Sequence, residues 1–235
     1  MKSLNPLLLL FALSVVLFSC SEEDPGPKQN DERSFAIVDF DRLEISEALD
    51  VTVQQGSSFS VQARGDSRNI NDLEVYKNGN TLRIKFDNNR NRQYTTYIMI
   101  TMPAIRGLDF SGAVNGRING FTGKINRFDL SMSGASTGQL DIEAEEVYAL
   151  LTGASNLRIY GNGKRIEASV SGASLFTAFD YPVETARLTV TGASHAKINA
   201  ATQLNVSASG ASEVLYRGAP QLEADVTGAS TLKKD

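Results

Sequence analysis

Tryptophan is absent from the 235 residues, and histidine and cysteine occur once each. A single cysteine cannot close an internal disulfide, and a metal site built from Cys and His is excluded on numbers alone. Sites made of oxygen ligands stay open. Lys and Arg total 23 against 27 Asp and Glu, for a net charge of -4, and no basic run stands out. The electrostatic footprint of a nucleic-acid binder is therefore missing, and no nucleic-acid partner is expected. Proline is scarce at 6, whereas glycine reaches 19. With 41% hydrophobic residues the chain has enough apolar material for one sizeable core.

The longest apolar run lies at the start. Lys2 is followed by Leu7-Leu8-Leu9-Leu10-Phe11-Ala12-Leu13 and continues through Val15-Val16-Leu17-Phe18. It is short for a bilayer span and has the layout of a signal peptide. It ends at Leu17-Phe18-Ser19-Cys20, which resembles a bacterial lipobox, with the chain's only cysteine at the acylated position. A diacylated and further acylated cysteine anchors stably, since each buried CH₂ contributes about 0.8 kcal/mol. The following Ser21-Glu22-Glu23-Asp24-Pro25-Gly26-Pro27 reads as a flexible tether. Its acidic residues also look like a surface-export signal of Bacteroidota-type lipoproteins, although a solvated linker explains them as well. The expected location is the outer membrane, on its periplasmic or cell-surface side, with the lipid anchor as the membrane contact.

From residue 111 onward a tetrapeptide recurs, Ser/Thr-Gly-Ala-Ser, with Val114 in place of serine in the first copy. Its glycines are Gly112, Gly134, Gly153, Gly172, Gly192, Gly210 and Gly228, spaced 22, 19, 19, 20, 18 and 18 residues apart. Its serines are Ser136, Ser155, Ser174, Ser194, Ser212 and Ser230. Such a period marks a stacked, quasi-one-dimensional fold. Within each copy the apolar residues alternate with period two, as in Phe128, Leu130, Met132 and in Leu204, Val206, Ala208, with Asp129, Ser131 or Asn205, Ser207 between them. That is the pattern of strands with one buried face. Each unit therefore reads as a strand, a bend at Gly-Ala-Ser, a second strand and a looser turn such as Gly161-Asn162-Gly163-Lys164. The parity places glycine and serine inward, with the serines stacked in a hydroxyl ladder. A sandwich of hairpins fits less well, because hairpins require no uniform repeat.

The expected fold class is all-β, a right-handed parallel β-solenoid with about 18–20 residues per coil. Residues 1–19 read as the signal peptide, 20–33 as acylated cysteine and tether, and 34–235 as one domain. Residues 34–108 lack the tetrapeptide but alternate as strands, as in Leu43-Glu44-Ile45, Val51-Thr52-Val53 and Leu82-Arg83-Ile84. They are expected to begin the solenoid and cover its first coil, while 109–235 form the repeat coils. Asn78-Gly79 predicts a hairpin turn.

The strands ending at Val53-Gln54-Gln55-Gly56, then Ile100-Thr101-Met102-Pro103, then the Ser/Thr-Gly-Ala-Ser series resemble the auto-transporter adhesin head GIN domain family. The resemblance runs over roughly residues 35–230. It implies a β-helical envelope domain with an adhesive role and brings no set of binding residues with it.

Catalytic candidates are weak. His195 beside Ser194 invites a Ser/His reading, but the two sit on opposite strand phases and should diverge. Asp141, Glu143, Glu145 and Glu146 read as a solvated face, and Gly161-Asn162-Gly163-Lys164 has no following helix to make a phosphate loop. Arg64-Gly65-Asp66 matches a cell-attachment tripeptide, a weak signal. The outward Ser131, Thr152, Ser169, Thr189 and Ser207 offer a polar face for glycans, and Leu150, Leu175 and Leu215 an apolar one for a packing partner. The sequence thus predicts a non-catalytic binding or adhesion module without cofactor, whose partner is a glycan or surface protein. The alternative is a structural protein that oligomerises through a solenoid face or end, where Leu232-Lys233-Lys234-Asp235 leaves a β edge protected only by charge. A polysaccharide-cleaving enzyme would need carboxylates clustered with a basic residue in a groove, and no such cluster repeats across adjacent coils.

Overall fold

The computed structural model describes residues 26–235; the expected signal peptide and Cys20 lie outside the described residues. Seventeen strands and one helical turn follow in order: β1 (Asn30–Phe35), β2 (Arg42–Ile45), β3 (Leu49–Gln55), β4 (Ser60–Asp66), α1 (Ser67–Asn71), β5 (Leu73–Asn78), β6 (Thr81–Phe86) and β7 (Thr96–Met102). Then come β8 (Gly107–Phe110), β9 (Asn115–Met132), β10 (Thr137–Leu151), β11 (Asn156–Asn162), β12 (Arg165–Val170) and β13 (Leu175–Val190). The chain finishes with β14 (His195–Ala208), β15 (Glu213–Arg217), β16 (Gln221–Val226) and β17 (Thr231–Lys234). They form a parallel β-solenoid of about 7 turns.

Each coil has a strand before the Gly-Ala-Ser corner and one after it, and each strand pairs in parallel with its equivalents above and below. Met132 pairs with Leu151, Leu151 with Val170, Val170 with Val190, and Val190 with Ala208, one buried column through five coils. The alternation in sequence is what buries this column, since one face of every strand turns inward. Opposite the corner, β9, β10, β13 and β14 run on without a break, accommodating the reversal through register shifts such as Leu140/Ile142 and Ala178/Val183. The looser turn is thus a turn only between β11 and β12 and between β15 and β16. At one such shift Tyr181 is fully buried, its hydroxyl donating to the Ala144 carbonyl (2.8 Å) and accepting from the Ala144 amide (3.1 Å).

The glycines do stand in a column. A Cβ placed on Gly153 would lie 2.6 Å from the carbonyl oxygen of Gly134, and one on Gly172 would lie 2.4 Å from that of Gly153. Backbone amides run through the corner as well: Ala154 donates to Gly134 (2.7 Å) and Ala173 to Gly153 (2.7 Å). The inward placement of glycine needs correction. Gly134 and Ala135 are exposed while Ser136 is buried, because the left-handed glycine (φ 72°) rotates the chain out of strand parity at the corner. The ladder of mutually bonded hydroxyls is also largely replaced by side-chain-to-backbone bonds. Ser155 Oγ donates to the Thr152 carbonyl (2.8 Å), and Ser174 Oγ accepts from the Ser155 amide (3.3 Å). Hydroxyl meets hydroxyl at Ser212 and Ser230 (3.1 Å). Backbone bonds satisfy these buried groups as well as a ladder would.

The N-terminal third is stacked out of chain order. β2 lies between β6 and β8, and β3 between β7 and β9, all parallel. The coil of residues 42–55 is thus inserted between that of 81–102 and the first glycine coil. Its corner, Ser46-Glu47-Ala48-Leu49, is a further copy of the repeat. Glu47 has the left-handed φ of 73°, and Ala113 donates to its carbonyl (3.3 Å) just as Ala135 donates to Gly112 (2.6 Å). The preceding coil in the stack has a long 87–95 connection instead of such a corner, so a side chain at 47 meets no stacked carbonyl. Ser-x-Ala was the only trace of this copy in the sequence.

This end of the solenoid is covered. β4 pairs antiparallel with β7, β1 with β4, and β5 with β6 through the expected Asn78-Gly79 hairpin. β1 begins at Asn30, inside the segment read as tether, because its partner β4 orders it. At the other end all of β16 is exposed among the described residues, including Leu222 (42%) and Val226 (38%) on the inward phase.

Candidate functional site

The strands before the corner present their outward side chains in straight rows, and these rows enclose a trough of about 520 Å³. One row runs Arg42, Gly107, Asp129, Tyr148, Glu167, Arg187, and the next runs Glu44, Asp109, Ser131, Leu150, Ser169, Thr189. Alternation explains why these residues face out, and the stacking explains why residues from six separate segments meet.

Charges in the trough are mostly paired. Asp129 accepts from Arg42 Nη2 (2.7 Å) and from Arg127 Nε (2.7 Å). Partial burial works against its charge, but the two guanidinium bonds outweigh burial and hold its carboxyl below the usual range. Arg83 pairs with Glu44 (2.9 Å) and Arg165 with Glu167 (3.1 Å). Asp109 differs: it neighbours Glu44 across β2 and β8 and has no pairing cation among the described residues. Crowding by the trough walls, then the charge of Glu44, raises its pKa above the ordinary value, although its side chain still opens to solvent. Beside these groups lies an apolar strip. Leu150 is 47% exposed, and the Tyr148 ring is braced by the Arg127 guanidinium 3.9 Å from its centroid, with its hydroxyl donating to Glu146 (3.1 Å).

Of the residues singled out by sequence, Ser131, Leu150, Ser169 and Thr189 come together here, whereas Thr152 falls at the corner. Leu175 and Leu215 lie on the strands after the corner, half-buried. Ser194 is buried and His195 exposed beside Glu213 (3.9 Å), so they diverge as expected. In Arg64-Gly65-Asp66 the aspartate is 1% exposed, bound to Arg68 (2.7 Å) and capping α1, so the tripeptide is not displayed. Glu143 bonds Asn162 and Glu145 bonds Lys164 on a solvated edge. Sequence reasoning missed Arg42, Glu44 and Asp109, a carboxylate-and-cation group drawn from adjacent coils. Their outward phase was readable; the insertion of β2 beside β8 was not.

Residues 39–220 match the family described as "Putative auto-transporter adhesin, head GIN domain". The chain belongs to this family. Solved structures similar to this GIN domain include a "putative adhesin" from Bacteroides fragilis NCTC 9343, with 17% identity and a TM-score of 0.81 over 89% of this chain and 98% of that one. A "putative lipid binding protein" from Parabacteroides distasonis ATCC 8503 has 19% identity and a TM-score of 0.68 over 88% and 96%. A "putative adhesin" from Parabacteroides merdae ATCC 43184 has 15% identity and a TM-score of 0.66 over 89% and 98%. At these identities they share the fold. No curated protein matches the GIN chain. The family's description suggests a cell-surface or envelope protein of adhesive character. No helix among the described residues is long and apolar enough to cross a membrane.

Proposed function

We propose that this GIN domain is a non-catalytic adhesion module, tethered to the outer membrane through acylated Cys20, that holds a glycan in the trough. The observation that carries this is the Tyr148–Leu150 strip flanked by Ser131, Ser169 and Thr189 and by carboxylate–guanidinium pairs. A sugar ring offers the matching surfaces, apolar C–H patches edged by hydroxyls. Binding is favoured over glycoside cleavage because Glu44, Asp129 and Glu167 are each held by arginine. Asp109 alone is left unpaired in the trough, and hydrolysis needs two carboxyl groups in different roles. The test is a glycan array probed with the purified chain and with Leu150→Lys and Tyr148→Ala. Binding lost in both variants, with no released sugar, is expected; binding that survives both substitutions refutes the site.

A second reading rests on the exposed β16. Leu222 and Val226 lie on the inward phase of β16 yet remain exposed, and the outer edges of β16 and β17 are free of partners among the described residues. A second copy docking there would bury both and pair the edges. Light scattering of Leu222→Lys tests it: a monomer in both parent and variant rules it out.

A further inference from the structure

The strands after the corner present a different outward surface. Arg117, Arg158, Lys197 and Lys233 occupy one row on alternate strands, and the strands between them contribute Gln139, Thr177 and Leu215 to the same row. With strands ~4.8 Å apart, the cations recur at roughly 10 Å over about 29 Å, and no acid interrupts the file. On one side the adjoining row includes Asn115, Thr137 and Asn156, and from β9 to β17 its one acid is Glu213, beside Leu215. On the other stand Asp141, Tyr160 and Phe179, with Arg158 resting against Tyr160 (5.2 Å) and Arg217 against Phe179 (4.0 Å).

We propose that this row is a binding strip for a linear anionic polysaccharide charged on alternate sugars, lying along the solenoid axis. A pyranose advances the chain by about the height of one coil, so its charge on every second sugar falls opposite the cation on every second strand. The present partners are loosely held. Arg117 reaches Asp50 at 3.6 Å, Arg158 reaches Asp180 at 3.2 Å, and Lys233 reaches Glu213 at 3.8 Å, with all three basic side chains more than half exposed. Such surface pairs exchange for a ligand anion at little cost. Lys197 has no carboxylate partner among the described residues and contacts Phe179 instead (6.0 Å). Amides and hydroxyls on one flank and ring faces on the other suit the uncharged sugars between. Nucleic acid fits worse: its phosphates recur about every 3.4 Å along a strand, and one cation per two coils leaves most of them unmatched. A flat anionic membrane would press Asp50 and Glu213, which border the row, against like charge.

The strip is independent of the trough, which lies on the strands before the corner, so either can fail alone. Hyaluronan decasaccharide, which has one carboxylate per disaccharide, is titrated into the full chain in mild detergent by calorimetry. Neutral chito-oligosaccharide, single-stranded DNA and phosphatidylglycerol vesicles serve as parallel probes. Hyaluronan is expected to bind, more weakly as salt rises, and to lose at least tenfold in affinity in R158A/K197A and in Thr177→Glu. Arg187→Ala, in the trough, should leave it unchanged. Absence of hyaluronan binding at low salt, equal affinity in the strip variants, or tighter binding of DNA or vesicles overturns the proposal.

Discussion

Gly153→Ala probes the corner column directly. Gly153 has φ +75°, and an alanine there carries the left-handed cost of about 1–2 kcal/mol. Its Cβ would sit 2.6 Å from the Gly134 oxygen where ordinary contact begins at 3.4 Å, so a close-packed corner must open by about 0.8 Å. Opening it lengthens the 2.7 Å bond from the Ala154 amide to Gly134, worth about 1 kcal/mol. The total is about 2–3 kcal/mol. Gly120 is the matched control: φ is +76°, yet nothing lies within 4 Å of its added Cβ, so Gly120→Ala should cost only the left-handed share, about 1–2 kcal/mol. The change in unfolded-chain entropy is common to both and cancels in the comparison. Urea unfolding followed by far-UV circular dichroism gives the two values, and hydrogen exchange at the Ala154 amide reads the corner locally. If the two variants differ by less than about 0.5 kcal/mol, the stacked carbonyl is not what excludes a side chain, and the reasoning fails.

Tyr181→Phe strands both the amide and the carbonyl of Ala144, and should cost about 1–3 kcal/mol in the same unfolding assay. Burial pushes the Tyr181 hydroxyl up to about 12, so its contribution is complete below about pH 10 and is lost as pH rises toward 12; the phenylalanine variant should lack that alkaline component. Asp66 is held well below the usual carboxylate range, first by the side-chain bond from Arg68, so it stabilises above about pH 4 and the contribution fades as pH falls. Asp66→Ala should cost about 1 kcal/mol for the lost cap of α1 and flatten the acid limb of a pH–stability curve. Cys20→Ala should move the chain from the membrane to the soluble fraction of fractionated cells, and an unchanged membrane fraction would contradict the lipid anchor.

The sequence by itself determined the repeat, its strand character and the serine burial at the corner. These are local properties: period-two alternation fixes which face is apolar, and Gly-Ala-Ser at near-constant spacing fixes where each coil bends. Even the outward phase of Arg42, Glu44 and Asp109 was readable in this way. Tertiary structure decided which coil lies beside which. Nothing in residues 42–55 says that they slot between 81–102 and 107–121, because that choice depends on which strand edges find partners far along the chain. That insertion lets Glu47 stand where later coils need glycine, and it brings Glu44, Asp109 and Asp129 onto one face. Side-chain alternation is set one residue at a time, whereas neighbours across coils are set by pairing over tens of residues.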